Sequence, residues 1–135
     1  MFYPLQYDDG KLVKIPLAVS QTIVKGDALV WASGYLAVAG STSEDIRYVA
    51  MEAVTTDGSS HTECLVLPVM GVRFEADCDD VVSIVDRGTY ADLATKATIN
   101  PDATLEKVFM IEEIVGKEEV SKLVRGYFVR FTATV

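Results

Sequence analysis

Lys25-Gly26-Asp27-Ala28-Leu29-Val30-Trp31-Ala32-Ser33-Gly34-Tyr35-Leu36-Ala37-Val38-Ala39 is the stretch that decides the fold class. Two apolar runs, Ala28 to Ala32 and Tyr35 to Ala39, flank Ser33-Gly34. A two-residue glycine hinge between such runs is the mark of a tight β-hairpin. Lys25-Gly26-Asp27 turns the chain into it. Towards the N-terminus, Lys11 to Val19 alternates, with Val13, Ile15, Leu17 and Val19 on one side and Lys14 and Pro16 on the other. That is the period of a half-buried strand, and Pro16 moves it towards a sheet edge.

Towards the C-terminus the pattern repeats. Gly40 to Asp45 is a polar loop, Arg47 to Val54 an apolar run, and Thr55 to His61 a second loop. Thr62 to Phe74 is the longest β-rich stretch, broken by Pro68 and Gly71 at an expected bulge or bend. Val81 to Val85 reads as a short strand. Val108 to Ile111 is read as strand, although Leu105, Val108, Phe109 and Glu112 also have helical spacing. Gly88 to Ile99 fits a helical turn through Tyr90, Leu93, Ala94 and Ala97, or a strand and loop, equally well. Leu123 to Thr132 closes the series, with Tyr127, Val129 and Phe131 on one face.

About eight or more short strands, with turns every 8 to 12 residues, indicate a mainly β barrel or sandwich. Long amphipathic helices alternating with strands are missing, which speaks against a doubly wound α/β fold. The 135 residues suit one domain with a real core. Half of them are apolar, which argues against disorder.

Twenty acidic against twelve basic residues give a net charge of −8. Such a field repels phosphate, so nucleic acid and anionic membranes are poor partners and another protein is the better one. Met1 to Asp9 has neither the basic nor the apolar region of a signal peptide, and it carries acid early. No apolar run reaches the roughly 18 residues that span a bilayer. The expectation is a protein made and used in a cytoplasm, or in something assembled there.

The residues that could carry chemistry are few. Cys64 and Cys78 lack CxxC spacing and read as reduced, buried, small apolar residues. His61, the sole histidine, follows Ser59-Ser60 in a loop, but adjacent residues seldom present a nucleophile to a base. Asp77-Cys78-Asp79-Asp80 is the densest acidic cluster, yet it lacks the order and the glycine of a calcium loop. One histidine and two distant cysteines do not furnish a zinc site. Glu112-Glu113 and Glu118-Glu119 would point to opposite strand faces and so not converge. Lys25-Gly26-Asp27 and Arg87-Gly88-Thr89 are turns. Trp31, inside a strand beside a hairpin, is expected in the core. No GxGxxG, GxxxxGK[ST], GxSxG or HExxH occurs, so neither a cofactor nor a metal is expected.

Phe2, Tyr3, Pro4, Leu5 and Tyr7 crowd the first seven residues, ahead of the Asp8-Asp9-Gly10 turn. Fraying aromatics expose sticky surface. The segment therefore either folds back on its own domain or docks on another chain, where it could add a strand to a sheet edge.

The order of these pieces resembles the capsid-cement and head-decoration proteins of tailed phages, of the lambda-type head decoration family. The resemblance runs from the opening segment through Ile23-Val24-Lys25-Gly26-Asp27-Ala28-Leu29-Val30 and the hairpin Ser33-Gly34-Tyr35-Leu36-Ala37-Val38-Ala39. It continues in Tyr48-Val49-Ala50-Met51-Glu52-Ala53, a strand ending near Gly71, and Arg125-Gly126-Tyr127-Phe128-Val129-Arg130-Phe131. Asp77 to Asn100 matches least. It implies a small β-barrel or β-tulip-like domain over residues 11–135 behind an extended N-terminal arm over residues 1–10. It also implies a non-enzymatic homotrimer on the outer surface of an expanded capsid in the virion, bridging neighbouring copies of the major capsid protein. Phe2, Tyr3, Pro4, Leu5 and Tyr7 would be the capsid-binding arm. Two other readings remain: a tail-tube or head–tail connector subunit, and a small metal-dependent β-barrel hydrolase using Asp77, Asp79 or Asp80.

Overall fold

The computed structural model describes residues 1–129, so Arg130, Phe131 and Thr132 of the expected closing strand lie outside the described residues. Strand content of 43% against 5% helix makes the protein mainly β. In chain order the strands are β1 (Phe2–Pro4), β2 (Val13–Pro16), β3 (Thr22–Ile23), β4 (Ala28–Ala32), β5 (Tyr35–Val38), β6 (Tyr48–Ala50) and β7 (Val54–Thr55). They continue with β8 (Glu63–Pro68), β9 (Phe74–Cys78), β10 (Tyr90–Thr95), β11 (Thr98–Asn100), β12 (Phe109–Ile114) and β13 (Leu123–Phe128).

The two halves of the chain form successive sheets. The first has the order β2-β8-β6-β4-β5, and β3 pairs with β7 beside it. Its ends meet where Leu17, just past Pro16, bridges Leu36 of β5 in parallel and Ala18 N–H donates to Leu36 O at 2.8 Å. The second has the order β9-β11-β10-β12-β13, and β13 pairs back onto β9 to close a five-stranded barrel. β1 crosses from the start of the chain to pair antiparallel with β9, Phe2 opposite Ala76 and Pro4 opposite Phe74.

The hairpin β4–β5 forms as its sequence dictates. Ser33 (φ 51°) and Gly34 (φ 87°) both occupy the left-handed region that a two-residue primed turn demands. Gly126 answers a different need. A Cβ there would lie 1.8 Å from Met110 O, so only glycine lets β13 cross β12 at this point. The neighbouring register shift between Ile111 and Glu113 bends β12 around the closure.

One core joins the two sheets. Ala28, Val49 and Leu67 from the first pack with Phe74, Phe109, Ile111 and Phe128 from the second. Four of the chain's five phenylalanines meet there, with Phe128 5.3 Å from Phe74, 5.1 Å from Phe109 and 4.9 Å from Phe2. Such tilted and edge-on contacts add to the burial of the rings themselves. The other face of the first sheet holds a smaller core of Leu17, Ile23, Leu29, Leu36, Ala50, Cys64 and Val66.

Several expectations resolve here. Of Val108 to Ile111, Phe109 onwards is strand, and the stretch Gly88 to Ile99 is taken up from Tyr90 by the β10–β11 hairpin. The break in Thr62 to Phe74 falls at Gly71, while Pro68 ends β8. Val81 to Val85 is not a strand. Only Val82 is buried, and the chain forms a 3₁₀ turn over Ile84–Asp86. The Asp86 carboxylate takes the Ser83 N–H at 2.8 Å, fixing a local turn where a ladder partner would have been needed. In β13 the inward face is Val124, Gly126 and Phe128, and Tyr127 stands half-buried on the other side.

Candidate functional site

The opening segment does not hang free as an arm. Phe2 is 0% exposed, its ring 4.9 Å from Phe128 and 5.9 Å from Phe109, and Pro4 is buried too. The residues expected to contact a partner therefore divide by alternation: Phe2 and Pro4 face the domain's own core, Tyr3 (55% exposed) and Leu5 face solvent, and Tyr7 is half-buried. The physical reason is pairing. β9 offers an open ladder next to a pocket lined by three phenylalanines, and a local strand fills it at no translational cost. The segment also has little to offer a foreign strand. Phe2 N–H donates to Gly26 O at 2.9 Å, Leu5 N–H to Arg73 O at 3.0 Å, and Pro4 carries no N–H at all. Partner contact through Tyr3 and Leu5 would run through side chains.

Trp31 behaves in the opposite way. It is 47% exposed, against the expectation of a core position. Leu29 stands opposite Tyr48, Tyr48 opposite Pro68, and Trp31 is two residues past Leu29. Period-two geometry puts all four on the face that carries the smaller core. Leu29 lies within that core, but β4 then runs out past its end, so Trp31 shares the right face at the wrong depth. Its ring meets Tyr48 edge-on at 5.6 Å. Met70, 59% exposed, extends the same side beyond Pro68. The Asp45–Arg47 ion pair (2.8 Å) and Glu44 border this rim.

The candidate chemical groups stay apart. His61 lies in its loop, stacked on Tyr35 with ring centres 3.7 Å apart, and its Nδ1 is 2.9 Å from Leu17 O. Among the described residues no three His, Cys, Asp or Glu side chains gather as a metal-ligand set. Asp77 and Asp79 flank the buried Cys78, and Asp80 takes the N–H of its own neighbour Val81 at 2.7 Å. Glu113 bonds Arg125 (3.2 Å), Glu112 bonds Arg73 (2.9 Å), and Glu118 takes the Ile84 N–H (2.8 Å). Glu75 on one side and Glu113 on the other hold the Arg125 guanidinium, raising its pKa.

Both cysteines are free and buried. Burial, then the charge of Glu52, pushes the Cys64 thiol up to about 11. Burial, then Asp79, Asp77 and Asp86, pushes Cys78 up to about 12. Thiols held protonated in this way are poor nucleophiles and poor metal ligands.

Two buried carboxylates were not singled out by the sequence. Asp27, fully buried in the expected turn, takes the Val24 N–H at 2.9 Å and the Lys96 ammonium at 3.0 Å through one oxygen. Lys96 also donates to Thr22 O (3.0 Å), and its own carbonyl takes the Ala28 N–H (2.7 Å), so the β10–β11 turn is clamped onto the first sheet. Asp92 accepts three successive amides, from Leu105 (3.2 Å), Glu106 (2.7 Å) and Lys107 (2.9 Å). It thereby stiffens a loop whose Leu105 is 81% exposed. The lone acid inside the apolar run Tyr90 to Ala94 was its one visible signal, because a buried carboxylate needs donors. Asp27 gave none.

The surface thus carries a set of apolar side chains projecting from well-bonded backbone. No family model matches the chain. A comparison with curated proteins returned no match either.

Proposed function

We propose that this chain is a virion structural protein of the capsid-decoration type. It binds the outer surface of an expanded phage head as a trimer and braces neighbouring major capsid subunits. The observation that carries the reading is the mounting of exposed apolar side chains on rigid supports. Trp31 rides a primed hairpin, Tyr3 a strand pinned to β9, and Leu105 a loop fixed by Asp92. Side chains held this way lose little freedom on docking, so more of their burial appears as affinity. Repeated over a lattice, a modest contact of this kind becomes firm attachment through avidity. The negative surface suits a protein partner and disfavours the packaged nucleic acid.

The test is light scattering of the isolated protein, then co-sedimentation with expanded heads. A trimer, or a monomer that assembles on the shell, supports the proposal. Purified protein that forms rings or tubes without a shell overturns it in favour of a tail-tube or connector subunit. Contact through the opening segment is tested by Tyr3→Ser with Leu5→Ser, which leaves Phe2 in place. Deleting residues 1–9 would instead unplug the core and confuse folding with binding.

A further inference from the structure

The ion pair of Asp27 with Lys96 joins the two halves of the chain. Asp27, in the turn between β3 and β4, has a wholly buried side chain, whereas that of Lys96, in the turn between β10 and β11, is 34% exposed. Main-chain bonds hold the two turns together: Ala28 N–H donates to Lys96 O at 2.7 Å, and Ala50 N–H to Asp27 O at 2.9 Å.

The two carboxyl oxygens of Asp27 are not equivalent. Oδ2 accepts the Val24 N–H at 2.9 Å and lies 3.0 Å from Lys96 Nζ. Oδ1 is buried and has no hydrogen-bond partner among the described residues. A buried charged oxygen without a donor is costly, so this pair is poorly arranged as a permanent pair of ions. Nζ also donates to Thr22 O at 3.0 Å.

An amide between the same two side chains fits these partners better. Its carbonyl oxygen would be Oδ2, still accepting from Val24, and its one N–H would still donate to Thr22 O. The atom lost would be Oδ1, the one that bonds to nothing. With Nζ 3.0 Å from Oδ2 and a C–O bond of about 1.2 Å, Nζ lies at most about 4.2 Å from Cγ, within about 1 Å of reacting distance.

We infer that Lys96 Nζ and Asp27 Cγ condense after folding into an intramolecular amide, with Oδ1 leaving as water. One proton passes from the ammonium to the carboxylate, giving a neutral amine and a neutral acid, a pair less costly to bury than two ions. The amine attacks Cγ, the Nζ–Cγ bond forms, and the Cγ–Oδ1 bond breaks. Oδ1 departs carrying the acid's proton and a second proton from Nζ, past the exposed stem of Lys96. No oxidant or co-reactant enters the balance. The pair carries its own protons, so the step is slow and depends on the fold to hold the groups together. The inference goes beyond the shell-contact reading and stands without it.

The test is the intact mass of the denatured protein, taken at intervals while the folded protein is incubated at neutral pH. The mass should fall by that of one water, at a rate independent of protein concentration, and a digest should contain a branched peptide joining the Asp27 and Lys96 segments. Protein kept in urea from the outset should retain its full mass. Lys96→Arg keeps a cation beside Asp27 but removes the amine, so it should also retain full mass and should unfold at lower urea than the cross-linked chain, whose bond closes a loop of about seventy residues. Full mass in wild-type protein shown to be folded by its near-ultraviolet dichroism overturns the inference. So does loss of water that persists in Lys96→Arg, which would assign it to another aspartate.

Discussion

Phe2 and Trp31 are both aromatic residues in short strands, and they exchange the fates that their sequence surroundings suggest. Phe2, near the start of the chain, is wholly buried, whereas Trp31, inside an apolar run, is half in solvent. The difference lies in what surrounds each strand. β1 is short but lies along β9, over a pocket built by strands more than seventy residues away. β4 is longer and well paired, yet its last residues run past the end of the core they share a face with. Burial follows what core a strand position lies over more closely than local hydrophobicity does.

Substitutions at the two positions should break the pair apart. Phe2→Ala should cost about 3–5 kcal/mol in urea unfolding, the range for removing a fully buried ring. A loss under about 1 kcal/mol would mean that β1 is not part of the core. Asp92→Ala should cost about 1–3 kcal/mol by removing the acceptor of three backbone amides, and it should speed amide exchange at Leu105, Glu106 and Lys107. Unchanged exchange there would show that the loop holds itself.

The thiols give a pH test of how dry the two cores are. Both have folded-state pKa values above the ordinary 9.0, near 11 for Cys64 and 12 for Cys78. The unfolded chain therefore releases protons first as pH rises, so stability is complete below about pH 9 and declines between about 9 and 11 or 12. The slope should not exceed about 1.4 kcal/mol per pH unit for each thiol. Cys64→Ala with Cys78→Ala should flatten it, and persistence of the slope would assign it to other groups. The smallest effect belongs to the rim. Trp31→Ser should change stability by about 1 kcal/mol or less, because so much of the ring is already in water. A loss near that of Phe2→Ala would erase the contrast drawn above.

Much of the fold could be read from the sequence because it is written in local terms. The Ser33-Gly34 hinge and the run ending near Gly71 each specify a turn or a strand within a few residues and appear where expected, while the alternation of Lys11 to Val19 yields the shorter strand Val13–Pro16, with Val13 exposed. The strand choice at Val108 to Ile111 held because β12 has neighbours on both sides. Val81 to Val85 misled because apolar residues alone do not supply a ladder, and Asp86 was near enough to form a turn instead. The site was less legible. Which of the residues Phe2, Tyr3, Pro4, Leu5 and Tyr7 face outwards depends on β9, and Asp27 depends on Lys96, partners that no local pattern announces. Trp31 was expected in the core and stands half in solvent, because its strand outruns the core it faces.

The pairing of β1 with β9 also orders events in time. During synthesis the strands of the first sheet, all within residues 13–68, are complete before β9 is made. Phe2 leaves the ribosome well before Phe128, whose ring forms part of its seat. Such remote closure is entropically slow. A late stage of folding should therefore be the seating of this ring, and a nascent chain will carry an unsheltered aromatic until Phe128 has been made.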